Sequence, residues 1–357
     1  MFTRALAASA VLLSLAACGS QADGSDPVVF HPKLKDDLLV GLLADVTVDG
    51  HQLPHALVDT GSPYAMASTK HECAQQQQFF YGSGPVSYCP TDGEYALARP
   101  DGSKDLLDVP LRYGATDSFD LIGLTGNVDP ARNQPAMTSV LEQLRPEAMT
   151  FTFPDGERAD GELSFAPYTG AGVEIADVQL RDPGVLGYGF VSELRRLEYL
   201  VDGEVHTTIE TRADGVWLRS ARQNRRVADE FLAFFDTGTT APSLLMMANV
   251  PLTAPDVASN NPELVPPSRV QLFDGLRMTF ADVDGREVSL TQSEWPRLGD
   301  EGAIPLRIPR TQDIPPTTRT LVDVTGLNFL ARYDFEFTYS DGVATDLKFF
   351  SRVPTSP

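Results

Sequence analysis

Two short segments of this chain carry nearly the same residues, and each ends in side chains that could do chemistry. In both, an apolar stretch leads to an aspartate, then a threonine, a glycine and a second hydroxyl residue. The segments are Asp59-Thr60-Gly61-Ser62 and Asp236-Thr237-Gly238-Thr239, which lie 177 residues apart. Glycine permits a sharp backbone turn, and hydroxyls can donate hydrogen bonds to a carboxylate. The repeat therefore predicts two halves of one paired-carboxylate centre.

Chance is a poor explanation for the repeat. An Asp-Thr-Gly triplet arises by accident in about one chain in fifteen of this length. When apolar residues must precede the triplet and Ser or Thr must follow it, two accidental copies are expected in about one chain in a million. The alternative that each aspartate is an ordinary turn residue of a β protein is therefore much weaker for the pair than for one copy.

The chemistry of such a centre follows from its charges. Two carboxylates about 3 Å apart in a poorly solvated cleft cannot both stay ionised, because like-charge repulsion raises the pKa of one of them. The pair then shares one proton. The ionised member can take a proton from a water that attacks a carbonyl carbon, while the protonated member donates a hydrogen bond to the carbonyl oxygen. This hydrolysis needs no metal and no organic cofactor.

The elements that must position these residues are predicted to be strands. Short apolar stretches alternate with Asp-Gly pairs, which favour tight hairpin turns, and this spacing is typical of a mostly β protein. Asp-Gly pairs of this kind include those at 49–50, 155–156, 202–203, 284–285 and 341–342. Helical patterns are few and are limited to Met137–Leu144, Val227–Leu232 and Leu327–Arg332.

The two halves of the chain also share an ending. Apolar residues lead to Gly123 in the first half and to Gly326 in the second, and each glycine opens a short segment with helical character. A strand that crosses beneath a catalytic turn needs a small residue where the two backbones approach closely. The predicted repeat unit is therefore a strand, an Asp-Thr-Gly turn, several hairpins and an apolar strand that ends in glycine.

These features together resemble the pepsin-like aspartic endopeptidases, which carry one Asp-Thr-Gly turn in each of two lobes. The resemblance covers most of residues 38–350. It implies an all-β fold with two β-barrel lobes and an active-site cleft between them. The matching domain division is a signal peptide at 1–17, a flexible tether at 18–36, an N-terminal lobe at 37–170 and a C-terminal lobe at 171–357.

The resemblance also implies a role for each residue of the two turns. Asp59 corresponds to the general base and Asp236 to the initial general acid. The hydroxyls of Thr60 and Thr237 are expected to cross-link the turns. The remaining support residues are Gly61 and Gly238, which turn the backbone, and Ser62 and Thr239, which are expected to donate hydrogen bonds to the carboxylates.

Family members close the cleft with a hairpin flap that carries a tyrosine, and two segments compete for this role here. Tyr81-Gly82-Ser83-Gly84 has the matching letters, but it follows Asp59 more closely than in the usual family layout. The hairpin from Tyr95 to Leu107, with its tip at 100–103, has the better spacing but no tyrosine at the expected place. The sequence leaves both alternatives open.

The first residues are predicted to direct export. Arg4 precedes an apolar run from Ala5 to Ala17 that is too short for a permanent membrane span, and small residues follow it. The ending Leu-Ala-Ala-Cys18 resembles the lipobox of bacterial lipoproteins, in which the cysteine becomes the first mature residue and carries the lipid. This resemblance implies an outer-membrane lipoprotein that faces the periplasm or the cell surface. The alternative is an ordinary secretory signal that contains a cysteine.

The two remaining cysteines, Cys73 and Cys89, are predicted to form a disulfide, because an even pair in an oxidising compartment most simply closes a loop. Such a loop stabilises a fold by about 3 kcal/mol. No metal site is expected, because the five histidines are scattered and two cysteines lack the further ligands that structural zinc needs.

The net charge of the chain argues against some classes of binding partner. The formal net charge is −21, which argues against nucleic acid and against charge-driven binding to an anionic membrane. The resemblance to the pepsin-like family implies a monomeric aspartic endopeptidase that cleaves peptides or unfolded proteins, and the charge is consistent with contact to a membrane only through the N-terminal lipid. The alternative is a lipoprotein with the same cleft that binds peptides or a protein partner without cutting.

Overall fold

The computed structural model describes the chain from residue 27 to residue 352 with gaps. The described residues are 27–35, 38–62, 65–67, 77–81, 84–98, 104–114, 120–125, 140–153, 159–183, 186, 189–221, 224–247, 275–292 and 320–352. Within them, no helix is long and apolar enough to cross a membrane.

Among the described residues, the first half of the chain contributes ten strands and one short helix. They are β1 (Val28–Lys35), β2 (Leu38–Val48), β3 (His51–Asp59), β4 (Ala65–Ala67), β5 (Gln77–Tyr81), β6 (Gly84–Ala98), β7 (Lys104–Gly114), β8 (Leu121–Gly123), α1 (Val140–Leu144), β9 (Ala148–Thr152) and β10 (Gly161–Ser164).

The described part of the second half contributes twelve strands and one short helix. They are β11 (Glu174–Arg181), β12 (Phe190–Val201), β13 (Glu204–Arg212), β14 (Gly215–Ser220), β15 (Asn224–Ala228), β16 (Glu230–Asp236), β17 (Leu244–Met247), β18 (Gly275–Ala281), β19 (Glu287–Gln292), β20 (Thr320–Gly326), α2 (Leu327–Leu330), β21 (Asp334–Ser340) and β22 (Val343–Phe350).

The prediction of a mostly β protein is confirmed. The strands join into one large mixed sheet with parallel and antiparallel pairs, and over the described residues this sheet does not close into a barrel. The closed barrel lobes that the resemblance implies are therefore not seen. A physical reason is that the strands of the two halves continue into one another through the antiparallel pair β9–β21.

A six-stranded antiparallel sheet, which we call the seam, joins the two halves. Its order is β1-β10-β9-β21-β22-β11, with three strands from each half. Large aromatic side chains pack along the seam, with ring centroids 4.7 Å apart for Phe151 and Phe335 and 3.9 Å apart for Phe190 and Phe337. The buried core is thus continuous between the halves.

Strand β1 corrects the prediction of a flexible tether at 18–36 for residues 28–35 alone, because residues 18–26 and 36 lie outside the described residues. Val28 and Phe30 are buried, and the Phe30 ring lies 5.1 Å from that of Phe153. Polar neighbours and prolines hid the strand, because only alternate residues face the core.

The helix predicted at Val227–Leu232 is also wrong, since this stretch lies in β15 and β16. Strand β16 pairs with β12 and β20 at its two edges, and its consecutive residues Phe231, Leu232 and Ala233 are all buried, so both of its faces are covered. A strand buried in this way has a continuous apolar run, which its sequence alone cannot distinguish from a helix. Of the other two predicted helices, α1 covers the described part of the first, because residues 137–139 lie outside the described residues, and α2 is shorter than the second.

Candidate active site

The two Asp-Thr-Gly turns occupy equivalent positions in the two halves. Asp59 ends β3, which runs parallel to β8, and its Cα partner is Gly123. Asp236 ends β16, which runs parallel to β20, and its Cα partner is Gly326. The predicted strand that ends in glycine therefore lies beside each turn.

The strand that follows each turn completes the repeat. β4 pairs antiparallel with β8, and β17 pairs antiparallel with β20. In each half, the strand that ends in glycine thus lies between the strand that enters the turn and the strand that leaves it. At Gly326, an added Cβ would lie 2.0 Å from the Ala241 carbonyl oxygen, so only glycine fits this crossing.

A reciprocal set of hydrogen bonds joins the two turns. The Thr60 hydroxyl donates to the Phe235 carbonyl over 3.0 Å and accepts from the Thr237 backbone N–H over 3.0 Å. The Thr237 hydroxyl donates to the Val58 carbonyl over 2.9 Å and accepts from the Thr60 N–H over 3.0 Å. Both threonines are buried, at 0% and 1% exposure. This cross-link fixes the distance and the orientation of the two turns.

The glycines of the turns show where the carboxylates point. A Cβ added to Gly61 would lie 2.4 Å from Cγ of Asp236, and one added to Gly238 would lie 2.5 Å from Cγ of Asp59. Each carboxylate therefore packs against the turn of the opposite half, and any larger residue in place of glycine would collide with it. The structure thus brings Asp59 and Asp236 together across the cross-link.

Hydrogen bonds orient the carboxylates within their own turns. The Gly61 N–H donates to Oδ1 of Asp59 over 2.7 Å, and the Gly238 N–H donates to Oδ1 of Asp236 over 2.8 Å. The Thr239 hydroxyl donates to Oδ2 of Asp236 over 2.6 Å. Backbone donors at both glycines leave the carboxylates little freedom to rotate.

Ser62 is the one support residue whose predicted bond to a carboxylate stays a prediction. Its side chain is buried, at 2% exposure, next to the first turn. Its carbonyl accepts a hydrogen bond from the Thr125 N–H over 3.1 Å.

Two functional candidates that the sequence analysis missed lie two residues after the glycines of β8 and β20. The Thr125 hydroxyl donates to the Thr60 carbonyl over 2.9 Å. The Asn328 amide donates to the Thr240 carbonyl over 2.6 Å. Their equivalent positions in the repeated ending were the signal that could have identified them.

A buried carboxylate lies behind the second turn and was also missed. Asp323 on β20 is fully buried; its carboxylate accepts hydrogen bonds from Ser243 and, over 2.8 Å, from Thr325. The Tyr199 hydroxyl lies 3.1 Å from that of Ser243. Burial raises the pKa of Asp323 to about 6, although the two hydroxyl donors lower it. This network ties β12, β20 and the loop after Asp236 together.

The structure contains both hairpins that compete for the flap. Tyr81 ends β5 opposite Gly84 of β6, and β6 pairs with β7 from Tyr88 to Ala98. The tips at 82–83 and 99–103 lie outside the described residues. Tyr95 is buried at 0% exposure and is a core residue of the second hairpin. The flap therefore stays a prediction.

The cysteine predictions also fall mostly outside the described residues. Cys18 and Cys73 are not among them, and Cys89 lies in β6 opposite Tyr113. Lipidation and the disulfide therefore stay predictions. In the part of the chain that the structure describes, no group of three or more histidine, cysteine or acidic residues could hold a metal ion.

Comparisons with known proteins add no assignment to this geometry. A scan against protein-family models and a search of curated proteins each found no match. A functional assignment therefore depends on the residues of this chain and on their arrangement.

Proposed function

We propose that this protein is an aspartic endopeptidase, in which Asp59 and Asp236 share one proton and activate a water. One observation supports this proposal above all. The two Asp-Thr-Gly turns are cross-linked through Thr60 and Thr237, and each glycine packs against the carboxylate of the other half. A structural role for the turns would not require two carboxylates to converge.

The pairing geometry also favours the bilobal architecture of the pepsin-like enzymes. The same three-strand arrangement surrounds each turn, and the seam takes three strands from each half. Both features are expected when two related lobes meet at one active site. A cleft between lobes would hold an extended peptide across the two aspartates.

The proposed reaction begins with the water between the two carboxylates. The ionised Asp59 takes a proton from this water as the water oxygen bonds to the peptide carbonyl carbon. Asp236 gives its proton to the carbonyl oxygen, which produces a neutral tetrahedral diol. The C–N bond then breaks, the leaving nitrogen takes the proton held by Asp59, and a diol hydroxyl returns a proton to Asp236.

The described hydrogen bonds suit this reaction because they set the geometry before substrate binds. A backbone N–H group donates to Oδ1 of each carboxylate and so fixes the rotation of the carboxylate plane. The direction of Oδ2 is then also fixed in Asp59 and in Asp236. Preorganised polar groups cost little reorganisation in the transition state. The substrate class is extended peptide or unfolded protein, and the enzyme is proposed to act as a monomer, exported and lipid-anchored at Cys18.

Cleavage of a diverse peptide library from about pH 3 to 7, with and without pepstatin, tests the proposal directly. We expect Asp59→Asn and Asp236→Asn each to lower kcat/KM by about 1,000-fold or more, because an aspartate paired with an asparagine cannot share a proton with it as two carboxylates do. Asp341→Asn is the matched control. Asp341 is exposed in the β21–β22 turn, and asparagine tolerates its φ of 52°.

The outcomes separate the two functions that the cleft could serve. Cleavage that pepstatin blocks and that both dyad variants lose supports the endopeptidase. Full activity of either variant rejects the assignment of the dyad. If the wild-type protein binds pepstatin but cleaves no peptide, the cleft binds ligands without hydrolysing them.

A further inference from the structure

Asn328 connects the loop that follows Asp236 to the first half of the chain. Its side chain is buried at 5% exposure at the second position of α2. Its amide nitrogen donates two hydrogen bonds, one to the Leu39 carbonyl over 2.8 Å and one to the Thr240 carbonyl over 2.6 Å. Leu39 belongs to β2 of the first half, whereas Thr240 follows the second Asp-Thr-Gly turn.

A neighbouring hydrogen bond strengthens the same connection. The Thr240 hydroxyl donates to the Val40 carbonyl over 3.4 Å, so two consecutive carbonyls of β2 accept bonds from the second half. β2 pairs in turn with β3, the strand that ends at Asp59. The loop after one catalytic aspartate is thereby attached to the strand pair that carries the other.

This attachment restrains a motion that the threonine cross-link permits. The seam joins the halves through β9 and β21, and the bonds between Thr60 and Thr237 join them at one compact point, so the halves could still rotate about the axis through these two joints. A third attachment through β2 opposes that rotation, because it joins different elements of the two halves. Among the described residues, the hydroxyl of the equivalent residue of the first half, Thr125, donates within its own half, to the Thr60 carbonyl. The side chain of Asn328 instead connects the two halves.

We propose that Asn328 is a positioning residue that holds the two carboxylates at their working separation. The proposal rests on the endopeptidase function proposed above. Asn328 acts through the loop after Asp236 and does not contact the reacting atoms. Reacting groups that move by about 1 Å can cost 100-fold in rate, so a small rotation of the halves would slow hydrolysis.

Two variants whose new side chains have nearly the same shape test this role. Valine at position 328 (Asn328→Val) donates no hydrogen bond, whereas threonine (Asn328→Thr) can donate one of the two. We expect Asn328→Val to lower kcat by about 10- to 100-fold with KM changed less than about twofold, and Asn328→Thr to restore part of kcat. Equal kcat values for the two variants, or a loss confined to KM, would overturn the proposal.

Hydrogen exchange provides a readout that does not depend on activity. The amides of Thr60 and Thr237 donate across the two turns, so faster opening of the halves exposes them. We expect exchange at both amides to accelerate about tenfold in Asn328→Val while the seam amides change little. Unchanged exchange overturns the proposal. If the wild type neither cleaves peptides nor binds pepstatin, the endopeptidase function fails, and the exchange result alone decides whether Asn328 holds the halves together.

Discussion

At the scale of single residues, glycine does more at this site than turn the backbone. Because Gly61 and Gly238 have no side chain, the carboxylate of the opposite half can occupy the space where a Cβ would lie. The two residues are thus part of the reason that Asp59 and Asp236 converge.

Replacement of either glycine by alanine should therefore damage the dyad. An added Cβ would lie 2.4 Å from Cγ of Asp236 in Gly61→Ala and 2.5 Å from Cγ of Asp59 in Gly238→Ala. We expect kcat/KM to fall about 100-fold, because the carboxylates must separate. Peptide hydrolysis and pepstatin titration measure this loss.

The control for this experiment is Gly342→Asn in the β21–β22 turn. Gly342 has a φ of +79° and open space around its Cα, and asparagine tolerates this conformation. Wild-type activity in Gly61→Ala would show that the carboxylates do not depend on the close approach of the turns.

At the scale of elements, β1 extends the seam and makes the start of the described chain part of the core. It pairs with β10 on one side and with β2 on the other. Its Phe30 ring packs against Phe151 and Phe153, with centroids 6.2 and 5.1 Å away. A segment that the sequence alone suggests is a tether therefore supports the joint between the halves.

Phe30→Ala tests this structural role. Truncation of a fully buried phenylalanine leaves a cavity and typically costs about 3–5 kcal/mol of unfolding free energy. Val29→Ala on the same strand is the matched control, since Val29 is only half-buried and we expect a cost of about 1 kcal/mol. Urea unfolding measures both. Equal, small effects would mean that β1 contributes no core.

At the scale of the whole molecule, the negative net charge and two carboxyl groups with raised pKa values should make the folded state more stable at acidic pH than at neutral pH. The formal net charge of −21 repels itself near neutral pH and decreases as carboxylates are protonated. Burial raises the pKa of Asp323 to about 6, and it does the same to Asp177, where Asp346 adds repulsion. Both groups hold their protons more tightly in the folded state than in the unfolded state.

Stability should therefore decline as pH rises from about 4 to about 7. Because the pKa of Asp323 is raised on folding, its contribution is fully present below the unfolded value of about 3.9 and is lost as pH passes the folded value. This rise in the pKa of Asp323 on folding corresponds to about 3 kcal/mol of unfolding free energy. Denaturant unfolding at several pH values measures the slope.

Asp323→Asn isolates the contribution of the buried group. Asparagine cannot ionise, so the difference in unfolding free energy between pH 4 and pH 7 should be about 3 kcal/mol smaller in the variant than in the wild type. The share of this difference that comes from Asp177 and from repulsion between surface charges should remain. An unchanged slope in the variant would show that Asp323 does not titrate over this range.

The sequence was sufficient for the parts of this protein that depend on local chemistry. The aspartates, their hydroxyl neighbours and the two β-strand endings at Gly123 and Gly326 were recognisable, because a sharp turn and a close backbone approach restrict the residue type at each position. Asp-Gly pairs between apolar stretches likewise predicted the β class. These signals are local, and a duplicated pattern reinforces them.

The tertiary structure decided which distant groups meet. The attachment of Asn328 to β2, the burial of Asp323 and the pairing of β1 in the seam all join residues far apart in the chain. A buried polar residue and a solvated one have the same letter in a sequence, because desolvation and pairing arise only when separate segments pack together. The identity of the reacting groups was thus contained in the chain, whereas their separation and support arise from the packing of its two halves.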